Sequence, residues 1–205
     1  MTPRMTTAAP DRDRTTTPIL WVDAEPDRLQ RDLTEVADFA PHLMYYPPDP
    51  DSGIPHGGWK GELPRWPFDR PVPESLDALI GAAGVPVAVV YRAAYPMVPP
   101  LIYPLDPLPT FEEWTQTTWH VAPGGSLCLL RSVGAWLPEA SITELLAKAA
   151  GWRIEYALMK AGVIDQMSVN GIVSDPSHDH LIIQAAHRQT DLDEESPDHD
   201  ADGPH

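Results

Sequence analysis

The chain has a single cysteine, Cys128, set in "HVAPGGSLCLL" at residues 120–130. A histidine, His120, stands eight residues upstream of it, Gly124 and Gly125 four and three residues before it, and leucines on both sides. A thiolate can take an acyl group as a thioester and hand it on, provided it is accessible and fixed in place. Gly124 and Gly125 permit a tight turn and close approach, while Leu127, Leu129 and Leu130 can anchor the segment in a core. Acyl transfer passes through an oxyanion, and His120 could donate a hydrogen bond to it. A neutral imidazole could equally take a proton from an attacking amine, since its ordinary pKa is about 6.5. Against these stand two plainer readings: a buried inert thiol and a loop histidine bonded only to backbone.

Other elements must position that segment. "EPDRLQRDLTEVADFA" places Leu29, Leu33, Val36, Ala37 and Ala40 on one helical face, between Pro26 and Pro41. Strand-like runs follow at 43–46, 59–63, 85–91 and 101–103, with connections that suit an antiparallel meander. "ESLDALIGAAG" reads as a short helix before the third strand. Beyond the cysteine, Ile142, Leu145, Leu146, Ala149, Trp152 and Tyr156 form one helical stripe. Ser141 and Glu144 carry the signature of a capping box at its start, and Gly151 is a candidate break. A short strand or helix is expected around Leu181–Ala186.

Composition narrows the functions. Acidic residues outnumber basic ones by 30 to 14, a formal charge of -16, which disfavours nucleic acid and anionic membranes as partners. One cysteine cannot form an internal disulfide, and no apolar run is long enough to span a bilayer. Residues 1–18 lack the apolar core of a secretory signal, so a reducing cytoplasm is the expected compartment. Those residues and 189–205 read as disordered tails, the second acidic, around one domain at 19–188. The 25 prolines cluster in stretches such as "YYPPDPDSGIP" and "YPMVPP", which read as rigid connections between strands.

Taken in order, the helix, the strands, Tyr95-Pro96 with Pro99-Pro100, His120, "GGSLCLL", Trp136-x-Pro138 and the capped helix resemble the ubiquitin-conjugating enzyme family. The likeness covers roughly residues 27–160. Tyr95, Pro96, Pro99 and Pro100 resemble the family's YPxxPP. Gly125 and Cys128 match its active-site spacing, and Trp136, Pro138, Ser141 and Ile142 match its W-S-P-x-x-[ST]-I. The resemblance implies an α+β UBC-like fold: an N-terminal helix, a four-stranded antiparallel meander, an active-site loop and C-terminal helices. It also implies an enzyme that carries a ubiquitin-like modifier as a thioester on Cys128 and passes it to a lysine, without a cofactor. The partners it implies are the modifier, a ThiF-like adenylating enzyme and a deconjugating protease of the same pathway. Trp136 and Pro138 are then supports of the active-site loop.

The sequence also departs from that pattern. His120 stands where the family has an asparagine, and "DPLPTFEEW" at 106–114 is extra sequence. The first helix is acidic to mixed, where many eukaryotic members are basic, which makes the chain more similar to divergent bacterial relatives. Two other classes compete with a conjugating enzyme: a catalytically silent UBC-like binding module, and a hydrolase using Cys128 and His120. His178, Asp179, His180 and His187 match no closed zinc spacing and read as solvated.

Overall fold

The computed structural model describes residues 19–194. The tail expected at 1–18 lies outside them, as do residues 195–205. The chain runs α1 (Trp21–Ala24), α2 (Pro26–Phe39), β1 (Leu43–Tyr46), β2 (Gly58–Leu63), α3 (Leu76–Ile80), β3 (Val85–Val90) and β4 (Leu101–Pro104). It continues through α4 (Phe111–Trp114), α5 (Ile142–Lys160) and α6 (Leu181–Glu194). The class is α+β: among the described residues, six α-helices and one four-stranded antiparallel sheet in the order β1-β2-β3-β4.

The expected meander is present. In β3 the buried positions alternate, Val85, Val87 and Val89 facing the core, as a strand with one covered face requires. The register pairs Trp59 with Val89 and Val89 with Ile102, so three core side chains line up across the sheet.

Helix α5 is buried on more than the one expected stripe. Ile142, Leu145, Leu146, Ala149, Trp152 and Tyr156 join the sheet-side core, while Ile154, Ala157 and Leu158 join a second cluster with Leu76, Leu79, Ile172 and Ile182. Fully burying a side chain such as Leu146 contributes about 1.5–3 kcal/mol. Gly151 does not break the helix. A Cβ there would lie 2.7 Å from Ile172 Cγ2, so the glycine lets the segment at 172 pack directly on the helix.

Three other expectations need correction. Ser141 is the N-cap of α5, but its Oγ accepts from Thr143 N at 3.1 Å and donates to Glu35 at 2.5 Å. Glu144 returns no bond among the described residues, so no box closes there. The box forms instead at Thr110–Glu113, inside the segment read as extra sequence: Glu113 N donates to Thr110 Oγ1 and Thr110 N to Glu113 Oε2. The last element is a helix that passes the boundary drawn at 188 and reaches Glu194. Once nucleated, a helix adds one hydrogen bond per residue and carries on through polar sequence.

The core face of α2 holds at Val36 and Ala40, both fully buried, but excludes Ala37 and takes in two charged residues. Leu29 and Leu33 are half-buried and Ala37 is exposed, whereas Arg28, Asp32 and Val36 are buried. Arg28 Nε lies 2.9 Å from Asp32 one turn on, and the Tyr91 and Tyr95 hydroxyls donate to Asp32 Oδ2 at 3.0 and 2.5 Å. Desolvation pushes the Asp32 carboxyl above its ordinary value, against the pull of Tyr95, Arg28 and Tyr91. The charge is therefore held in the core by its partners and does not seek burial itself.

Candidate active site

Residues 120–128 fold into a two-stranded ribbon. Val121 bridges Leu127, Ala122 N donates to Ser126 O at 2.7 Å, and Cys128 N donates to His120 O at 2.7 Å. The turn requires left-handed backbone at Gly124 (φ 105°) and Gly125 (φ 87°). Gly125 sits over the Trp114 ring, where an added Cβ would stand 3.3 Å from Cζ2. The ribbon hangs on the sheet through Leu127 N, which donates to Ile102 O of β4 at 2.8 Å. Leu127 and Val121 point into the core and leave Cys128 exposed at the open end.

His120 and Cys128 are brought together there. Each lies one residue beyond the bridged pair, and both line one groove of about 1210 Å³. His120 adopts left-handed backbone (φ 50°, ψ 39°), a region in which His, Asn and Asp are the tolerated non-glycine residues. No hydrogen bond joins its ring to the thiol among the described residues. Partial burial pushes the Cys128 thiol above its ordinary value. The thiol is thus accessible but not activated in this state.

Aromatic side chains brace the segment that leads into the ribbon. Trp152 Nε1 of α5 donates to Trp119 O at 2.8 Å, directly before His120. The Trp119 ring lies 5.4 Å from Tyr156, and Tyr156 in turn donates to Glu113 at 3.0 Å. Lys160 reaches the same carboxylate at 3.1 Å. Burial would raise the Glu113 carboxyl, but the Thr110 amide, Lys160 and Tyr156 outweigh it and hold it below its ordinary value.

Trp136 and Pro138 are not part of the groove. Trp136 is buried, donates its indole N–H to Pro96 O at 2.7 Å and lies 6.4 Å from the Tyr95 ring. Pro138 O accepts from Arg28 at 2.6 Å, and Ala140 O accepts from both Arg28 and Arg31. This segment therefore fastens the chain after Cys128 to α2 and to the Tyr95-Pro96 corner. The remaining groove walls come from Leu129–Arg131, from Lys148, Trp152 and Glu155 of α5, and from 166–174.

Sequence reasoning missed α4, the Arg28–Asp32 pair and the α5 face of the groove. Two of these had a signal: T-x-x-E at Thr110–Glu113, and opposite charges one helical turn apart at Arg28 and Asp32. His178 and Asp179 serve structure, Asp179 pairing with Arg70 at 2.6 Å and His178 Nδ1 lying 3.1 Å from Glu155. Among the described residues, no group of three His, Cys, Asp or Glu side chains could hold a metal ion, and no helix is long and apolar enough to cross a membrane. No protein-family model matches the chain, and no curated protein matches it.

Proposed function

We propose that this is a UBC-like conjugating enzyme that carries the C-terminus of a ubiquitin-like modifier on Cys128 and transfers it to an amine, usually a lysine. The observation that carries the reading is an exposed thiol, on a ribbon anchored to β4, opening into a groove large enough for an extended tail. The element order, with Trp136 hydrogen-bonded to the Tyr95-Pro96 corner, supports the same reading.

In the first step the Cys128 thiolate attacks the thioester of a ThiF-like activating enzyme, whose cysteine leaves. In the second an amine attacks the new thioester, the C–S bond breaks and the amide forms. An exposed thiol can exchange with a thioester directly, and a positioned partner speeds each exchange. His120 is placed at the groove to donate to the oxyanion or accept the amine proton. A deconjugating protease and a cytoplasmic setting complete the proposed pathway. The absence of a His120–Cys128 hydrogen bond gives a Cys-His hydrolase no support.

The test incubates the protein with activating enzyme, ATP and modifier. Wild type forms an adduct cleaved by reductant, Cys128→Ser forms a reductant-stable ester or none, and Cys128→Ala forms none. Unchanged biological activity of Cys128→Ala would instead establish a silent binding module.

A further inference from the structure

The groove's charge runs against that of the molecule. Acidic residues outnumber basic ones by 30 to 14 in the chain. Yet the lysine, arginine and carboxylate side chains lining the groove are Lys148, Arg131 and Glu155. Glu155 is 2% exposed, and its Oε1 is already committed to Ser168 N at 3.0 Å and His178 Nδ1 at 3.1 Å. Arg131 is exposed and touches the opposite wall, donating from Nε to Val169 O at 3.2 Å, which leaves its charge without a counterion. Lys148 is half-buried on the groove face of α5, with Trp152 and Glu155 at the positions one and two turns on. Among the described residues it has no hydrogen-bond or ion-pair partner.

Lys148 and Arg131 thus line the groove with no acidic partner among the described residues, and a carboxylate delivered by a ligand would pair with them. Resting on the carrier reading, we infer that the groove selects acyl tails bearing a carboxylate side chain a few residues before the terminus that joins Cys128, with Lys148 and Arg131 as the specificity-determining residues. The occupant is an extended acidic peptide tail. Its terminal carbonyl lies at Cys128, and its backbone runs along α5, advancing about 3.3 Å per residue. The cations sit in a concave wall, so they act at short range even though the molecule as a whole is anionic.

The experiment needs neither activating enzyme nor natural modifier. Synthetic peptide α-thioesters of one length, ending in Gly-Gly and carrying Glu, Gln or Lys at the fourth and fifth positions from the thioester, are mixed with the full chain. The Cys128 thiolate adds to the probe carbonyl, the probe's C–S bond breaks, and its small thiol leaves with the proton that Cys128 gave up. Adduct formation is followed by intact mass. Wild type should react with the Glu probe about 5- to 10-fold faster than with the Lys probe, a gap that shrinks at about 0.5 M salt. Lys148→Glu should invert the order, and Lys148→Gln and Arg131→Gln should each flatten it. Equal rates in wild type, or an order unchanged in all three variants, overturns the inference while leaving Cys128 a carrier. If no probe charges Cys128 although iodoacetamide alkylates it, the carrier reading and the inference fall together.

Discussion

Two polar clusters of the molecule are treated in opposite ways. Behind the sheet, Arg28, Asp32, Tyr91, Tyr95 and Trp59 form a closed network in which the Trp59 N–H reaches Tyr91 at 2.9 Å and Arg28 reaches Tyr95, Pro138 and Ala140. At the groove, Cys128 and His120 share a wall with no bond between their side chains, and Lys148 has no partner among the described residues. The first cluster is costly to bury and useful only if complete, so it acts as a rivet between α2, the Tyr95-Pro96 corner and the segment 136–140. The second leaves its groups unspent at the surface, as a site that must bind and release requires. Trp136 and Pro138 belong to the rivet, although sequence spacing pairs them with the cysteine.

The comparison can be broken hardest at the rivet. Arg28→Ala leaves Asp32 without its cation and should cost about 3–5 kcal/mol in urea unfolding, whereas Arg28→Met with Asp32→Leu should recover much of the loss. Recovery by the double variant would show that the pair holds geometry more than it adds stability. A smaller effect is expected at Glu113, where Gln should cost about 1–2 kcal/mol near pH 7. Because the folded carboxyl is held below its ordinary value of 4.5, the stabilisation is present above that pH and is lost as pH falls through the folded value. Melting temperatures of wild type and Glu113→Gln should therefore converge on acidification below about 4.5.

Next comes His120, whose left-handed backbone makes His120→Ala about 1–2 kcal/mol less stable, while His120→Asn and His120→Gly should stay close to wild type. If the imidazole acts on the acyl group, His120→Asn will discharge a preformed Cys128 thioester to amine with a pH profile lacking the histidine limb. A profile identical to wild type would assign His120 to the backbone alone. The smallest stability change is expected at Cys128 itself: the thiol is exposed, so Cys128→Ser should fall within about 0.5 kcal/mol. Its alkylation rate should still be climbing with pH at the ordinary thiol value, because burial raises its pKa.

The sheet was legible because strand alternation and turn residues are local signals, and Leu43–Tyr46 and Leu101–Pro104 fall where "LMYY" and "LIY" place them. Helix α5 was legible at its start, where Ser141 caps it, but not in its interior. Gly151 reads as a breaker in sequence and serves as a contact surface in three dimensions. Arg28 and Asp32 were not read as core positions, since charged residues rarely face a core, and only the tertiary placement of Tyr91 and Tyr95 supplies their partners. At the site, Cys128, His120, Gly124 and Gly125 fall within one short stretch of sequence and could be named. Lys148 and the wall at 166–174 come from elsewhere in the chain, and no local pattern joins them to the thiol.

The most direct measurement is intact-mass and gel analysis of the chain after reaction with activating enzyme, ATP and modifier. The account predicts one reductant-sensitive acyl adduct mapped to Cys128 and none in Cys128→Ala. Charging that persists in Cys128→Ala, or a wild-type thiol that stays free while the activating enzyme is fully charged, would contradict it.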